Sequence, residues 1–281
     1  MTTIKIITDS SCDLPEMIVD EIGIDIVPLS VHFGEECMPP DMKLADFYAR
    51  MKKESVLPKT SSPAPQLFLA EYQKTQVDQD ILVISLSSAL SSTFHHAVMA
   101  KEMLLEEGFA GRIEIIDSKT TSLGLGVLVY KAAKMAEANV PFEKIVEVIK
   151  QAVKTSGTFF FLDTLENVIK GGRLDRVRGA VASVLNIKLL MKGSEEGTIE
   201  VIEKIRGTQQ ALKRLITKIG DTHQHDFDKD VIAVAHCNCE DRAREVLNQL
   251  LDKYPFRKVL FSNMGTVIGT YAGEGGVLIA Y

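Results

Sequence analysis

The chain has no tryptophan, and aromatic residues make up only 6% of its 281 positions. Base-stacking platforms need such side chains. The formal net charge of −6 also withholds the basic footprint that nucleic-acid backbones require. Cysteine is scarce: four scattered residues with no C-x-x-C spacing exclude a disulfide scaffold and fit a reducing cytoplasm. Apolar runs stay at strand length, so no transmembrane helix is predicted. The opening MTTIKIITDSS enters a strand directly, without the apolar core of a signal peptide. Nucleotide signatures are missing as well. No G-x-x-x-x-G-K-[ST] occurs, and GLG at 124–126 lacks the third glycine of a dinucleotide fingerprint. Nor is there a G-x-S-x-G elbow, which argues against a serine hydrolase. No cofactor is expected.

What is present describes a cytoplasmic α/β protein. Hydrophobic residues at 46% suffice for a large core, and the length suits two domains. In the first half, short apolar runs (Ile4–Ile7, Ile24–Val31, Ile81–Ile84, Ile113–Ile116) alternate with helical stretches such as 41–54, 66–74, 97–107 and 126–138. Such alternation predicts a parallel, Rossmann-like sheet with helices on both faces. Near residue 155 the pattern changes. FFFLDTLENVIK (159–170) and RLDRVRGAVASVL (173–185) read as helices. IKLLMK and TIEVIEKIR read as an antiparallel hairpin across GSEEG. The expected domains are therefore 1–155, α/β, and 156–281, α+β with a largely antiparallel sheet. The last strand, GVLIAY, is free in this reading to return to the first domain.

Hydroxyl side chains crowd the ends of the first-half strands. Ile4–Ile7 runs into Thr8-Asp9-Ser10-Ser11, and Ile81–Ile84 into SSALSSTFHHA (87–97). Ile113–Ile116 runs into Asp117-Ser118-Lys119-Thr120-Thr121-Ser122, and a fourth cluster, Thr60-Ser61-Ser62, lies in a proline-bounded loop. Ligands of open parallel sheets sit outside the carboxyl ends of the strands. Helix N-termini offer N–H groups and a positive dipole end. Four such clusters together predict one polar rim for a carboxylate or phosphate, although each alone is an ordinary helix cap.

His236, Cys237 and Cys239 are read as a buried strand end rather than a metal site, and His223 and His225 as exposed. Asp9 lacks the second aspartate of an aspartyl phosphotransferase, since Ser11 stands there. A phosphoryl-transfer or phosphatase-type enzyme using Asp9 or Asp117 on a small anion is the alternative reading.

Several ordered segments resemble the DegV family. ITDSSCDLP (7–15) is similar to its opening motif, TSSPAP (60–65) to its T-S-x-P loop and SSALSST (87–93) to its S-S-x-L-S-G-T turn. DSKTTSLGLG (117–126) and LDTLENVIKGGRL (162–174) resemble two further family segments, and GTVIGTYAGEGG (265–276) resembles its closing glycine-rich loop. The resemblance implies a long-chain fatty acid held between two domains, with the protein as a carrier that has no catalytic residues, metal or cofactor. It further implies that a separate ATP-binding fatty acid kinase subunit phosphorylates the acyl carboxylate, and it allows transient membrane contact. Its carboxylate-binding hydroxyls fall on Thr60 and Ser91, with Ser61, Ser92 and Tyr271 completing the expected set. Arg173, the arginine of the G-G-R string, and Arg206 are the expected contacts for the partner or the phosphate, beside Lys170, Arg176 and Arg178. Phe159, Phe160, Phe161 and Leu162 are candidates for the tunnel wall. The chain departs from the family pattern at Ser92 for a glycine, Tyr271 for a histidine, Glu274 for a proline, and IKLLM (187–191) for I-K-P-I-L.

Overall fold

The structure is a computed structural model that describes residues 4–39, 42–76, 79–174, 187–222 and 231–281. Its elements in chain order begin with β1 (Ile4–Asp9), α1 (Glu16–Ile22), β2 (Asp25–Val27), β3 (Ser30–Phe33), β4 (Glu36–Cys37), α2 (Leu44–Lys53) and β5 (Lys59–Ser61). Next come α3 (Pro65–Tyr72), β6 (Asp80–Ser85), α4 (Thr93–Glu106), β7 (Ile113–Asp117), α5 (Leu123–Glu137) and α6 (Phe142–Thr155). After residue 157 follow β8 (Thr158–Phe161), α7 (Glu166–Lys170), β9 (Ile187–Gly193), β10 (Ile199–Arg206) and α8 (Thr208–Thr222). The chain closes with β11 (Val231–His236), α9 (Glu240–Leu251), β12 (Lys258–Asn263), α10 (Thr266–Ala272) and β13 (Val277–Ala280).

Continuous apolar runs give the first sheet, parallel throughout in the order β2-β1-β6-β7. A strand covered on both faces has no polar side to alternate, and every residue of β6 is buried. Ile7, Ile81 and Val83 pack under α3 and α4, while Ile6, Leu82 and Ile84 face α5. The second sheet runs β10-β9-β8-β13-β11-β12 and is antiparallel except for the β11–β12 pair. Its outer face packs on α8 and α9. Helix α5 lies between the two sheets, touching β1 and β6 on one side and β11 and β13 on the other. That position explains its composition: Leu123–Tyr130 is buried on every side and carries no charge, and Lys131, Lys134 and Glu137 appear only in the later turns, where one side reaches solvent. A small sheet in the order β4-β3-β5 projects from the first half.

Three expectations need correction. Thr158–Phe161 is a strand rather than the start of a helix, because β8 is hydrogen-bonded on both sides, to β13 and β9. Strand β13 stays in the second sheet, between β8 and β11, and does not return to the first. The glycine-rich 265–276 segment, read as a loop, contains the helix α10. Helix α6 and the β3–β5 ribbon go beyond the predicted elements. The hairpin β9–β10 forms as expected, its turn closed by Ser194 and Thr198, with Gly197 at φ +82°. No helix among the described residues is long and apolar enough to cross a membrane.

Candidate functional site

A cavity opens between the two sheets, walled by α10, β8, the 86–91 turn, the 119–121 loop and the tip of the β9–β10 hairpin. The space not filled by protein there, its open mouth included, is about 910 Å³. Thr158, Phe160 and Leu162 all line the cavity. Alternate residues of a strand share a face, so the cavity follows β8 for about 13 Å at about 3.3 Å per residue. Phe159 and Phe161 point the other way, into the core under α8 and α9. Val168, Met264, Val267, Ile268 and Leu278 complete a largely apolar wall.

Polar side chains line the cavity in two groups: Thr60, Ser91, Arg173 and Tyr271 in one, and Lys119, Thr120, Thr121, Thr158 and Thr198 in the other, where Thr120 Oγ1 lies 2.8 Å from Thr158 Oγ1. Thr60 Oγ1 lies 2.5 Å from Tyr271 Oη. The Arg173 guanidinium stands 4.7 Å above the Tyr271 ring and donates to the carbonyls of Gly171 and Leu90 at 2.5 and 3.3 Å. It thereby ties α10 to the serine-rich turn. Glycine at 171 is what admits the aromatic ring, since a Cβ there would sit 2.5 Å from two Tyr271 ring carbons. Ser91 Oγ lies 2.9 Å from Ser62 Oγ and 2.8 Å from Thr93 Oγ1. These hydroxyls and one guanidinium form a donor set that suits an anion, beside the apolar wall of the cavity.

Other predicted residues lie elsewhere. β5 alternates, so Ser61 turns outward from the Thr60 face, and its hydroxyl lies 3.3 Å from His32 Nε2. Ser92 is exposed beside Ser62, outside the cavity wall. Arg206 is exposed at the far end of β10, seven residues from the cavity-lining Ile199, about 23 Å along the strand. Arg176, Arg178, His223 and His225 lie outside the described residues. Glu274 does not line the cavity; its carboxylate is held by Lys52 at 2.6 Å and by the Asn238 amide at 2.5 Å.

The single polar rim is also narrower than expected. The Thr8–Ser11 cluster is internal: Thr8 donates to the Ile84 carbonyl at 2.8 Å, and Ser10 Oγ accepts the Leu29 N–H at 2.9 Å. Asp9 accepts from Ser11 N–H and O–H, Ser85 O–H and Leu86 N–H. Burial raises its pKa above the ordinary carboxylate value, and these four bonds only partly offset that. Asp117 holds Ser88 and Lys119, which keep its carboxyl low against partial burial. Neither aspartate lines the cavity. Within the serine-rich turn the N–H groups of Leu90, Ser91 and Thr93 are already taken, so the turn offers hydroxyls to a ligand. Cys237 is buried against Met264 Sδ, and no metal-binding group of His, Cys, Asp or Glu occurs among the described residues.

Sequence reasoning gave Asp13 no role, and it placed Ser62 in a hydroxyl cluster without naming it among the carboxylate contacts. Ser62 bridges Ser91 and Ser92, each at 2.9 Å. Buried Asp13 joins the two halves, accepting from Ser122 Oγ at 2.6 Å and from the Gly265 N–H, at the head of α10, at 2.8 Å. Desolvation raises the Asp13 pKa to about 7.

Comparison with known proteins places this geometry. A family model described as an uncharacterised protein of the DegV family matches residues 3–281. A DegV domain-containing protein of Caldanaerobacter subterraneus is 31% identical over 276 residues, covering 97% of this chain and 96% of its own. The crystal structure of a DegV family protein from Ruminococcus gnavus, described with vaccenic acid, superposes with a TM-score of 0.92 at 27% identity, both chains covered in full. The fatty acid kinase B3 protein of Streptococcus pneumoniae, loaded with linoleic acid, gives 0.87 at 25% identity over 100% of this chain and 99% of its own. With its motifs in order along the whole length and its cavity between two sheets, the chain belongs to the DegV family.

Proposed function

We propose that this protein binds a long-chain fatty acid between its two halves and presents the carboxylate to a separate ATP-dependent fatty acid kinase. The observation that carries the reading is a cavity with an apolar wall along Phe160, Leu162, Val168, Val267 and Leu278, in which the donors of Thr60, Ser91, Arg173 and Tyr271 stand together. An amphiphile with an apolar tail and one terminal anion matches that polarity. The tail supplies affinity, at about 0.8 kcal/mol per buried methylene. Hydroxyl donors fix the head group without the full cost of desolvating an opposing charge. Relatives described with vaccenic or linoleic acid support the ligand class, and the kinase subunit among them supports the partner.

In this reading the division near residue 155 separates two domains that close on the acyl chain. Catalysis belongs to the partner: the substrate carboxylate is itself the nucleophile toward ATP, and this chain, a cytoplasmic carrier, orients it. Arg173 at the mouth, beside exposed Lys59 and half-exposed Lys170, is the contact for the arriving phosphoryl group or the partner; Arg206 is a more distant docking contact. Native mass spectrometry of protein purified gently from bacteria is expected to show one bound acid of about sixteen to eighteen carbons. An empty protein that also fails to bind palmitate or oleate contradicts the proposal.

A further inference from the structure

Resting on that reading, we infer that Ser92 and Ser62 form a hydroxyl relay that sets Ser91 as a proton donor to the ligand carboxylate. Ser92 occupies the N-cap position of α4, where a serine normally accepts an N–H of the first helical turn. Here it makes no capping bond, with φ −75° and ψ −1°. Its hydroxyl lies instead 2.9 Å from Ser62 Oγ, which is itself 2.9 Å from Ser91 Oγ.

Each hydroxyl has one proton and two lone pairs. With Ser92 donating to Ser62 and Ser62 donating to Ser91, one lone pair of Ser91 is filled. The Thr93 N–H, 3.3 Å away, fills the second. Ser91 then acts toward the cavity only through its proton. Thr93 Oγ1, at 2.8 Å, is the neutral acceptor for that proton. A carboxylate is a charged and stronger acceptor and captures it. Donation in series polarises each successive O–H, so the relay strengthens the terminal bond. Its outer end, Ser92, is exposed, so its lone pairs can accept hydrogen bonds from water. The device selects for a charged acceptor: an ionised acid gains a charge-assisted bond from it, and a neutral ester gains little.

The test compares binding of palmitate and methyl palmitate to the wild-type full chain, Ser62→Ala, Ser62→Thr, Ser92→Gly and Ser91→Ala. Ser62→Ala is expected to weaken the acid about five- to tenfold and the ester less than about twofold, Ser62→Thr to restore acid binding, and Ser92→Gly to cost about two- to threefold. An equal loss for acid and ester in Ser62→Ala makes Ser62 merely structural and overturns the relay. Loss in Ser91→Ala with none in Ser62→Ala overturns it too, while leaving the fatty-acid reading intact. No loss in Ser91→Ala, or no binding of either compound to wild type, removes the fatty-acid site itself and the relay with it.

Discussion

Replacing Asp13 by asparagine should remove a contribution that makes stability fall as pH rises. Asp13 sits at φ 51°, a left-handed conformation that asparagine adopts at little cost. Asparagine is close to isosteric and keeps an oxygen to accept from the Gly265 N–H. An ordinary native carboxylate is held below its unfolded pKa and adds stability as pH rises. Asp13 is raised from 3.8 to about 7, chiefly by burial. The native state therefore binds more protons than the unfolded state between these values, and stability falls as pH rises through that window. A carboxyl whose native and unfolded pKa values differ by one changes stability by about 1.4 kcal/mol, so the Asp13 contribution declines by about 2–3 kcal/mol from pH 5 to pH 8. Other carboxylates titrate as well, so the quantity to measure is the difference between wild type and Asp13→Asn in urea unfolding across that range. The variant should gain on wild type steadily up to about pH 7 and level off above it. A flat difference, or one in which wild type gains with pH, refutes the reasoning. It would show that the Gly265 N–H and Ser122 O–H outweigh the burial of this carboxylate.

Gly171→Ala should push the Tyr271 ring off Thr60, because its Cβ would stand 2.5 Å from two ring carbons. A stability loss of about 1–3 kcal/mol is expected in thermal unfolding, partly relieved by pairing with Tyr271→Leu. Val267→Phe, on the cavity face of α10, should reduce affinity for acids of sixteen carbons or more by about tenfold or greater while sparing ten-carbon acids, read by competition binding. Ser87→Ala removes the 2.7 Å bond from Ser87 Oγ to the Gly197 carbonyl that pins the hairpin tip over the cavity. Ligand dissociation should accelerate about fivefold in stopped-flow measurements, at a stability cost of about 1 kcal/mol.

The first sheet was legible because its strands are continuous apolar runs ending in Thr, Ser and Asp, a local pattern with one common outcome. β8 was not, because three phenylalanines before a leucine satisfy a helix or a buried strand alike. Only the pairing with β13 and β9 decides between them. The glycines of 265–276 suggested a loop, yet Gly269 serves a helix. A Cβ there would meet the Tyr48 hydroxyl at 2.6 Å, a contact invisible along the sequence. At the site, Thr60, Ser91, Arg173 and Tyr271 converge from four separate segments, which the ordered motifs anticipated. Ser61 and Ser92 do not line the cavity, because the local backbone, strand alternation at Ser61 and the turn before α4 at Ser92, decides which hydroxyl faces it. Thr8 to Ser11 looked like a rim from composition. Tertiary hydrogen bonds to Ile84, Ser85, Leu86 and Leu29 turned that cluster inward.

The most direct test is a crystal structure of the protein with palmitate. Elongated density should run along Phe160 and Leu162, with the carboxylate within hydrogen-bond distance, about 3.2 Å or less, of Thr60 Oγ1 and Ser91 Oγ. An empty channel, or an acid lying with its carboxylate at the Thr158 end, contradicts the account.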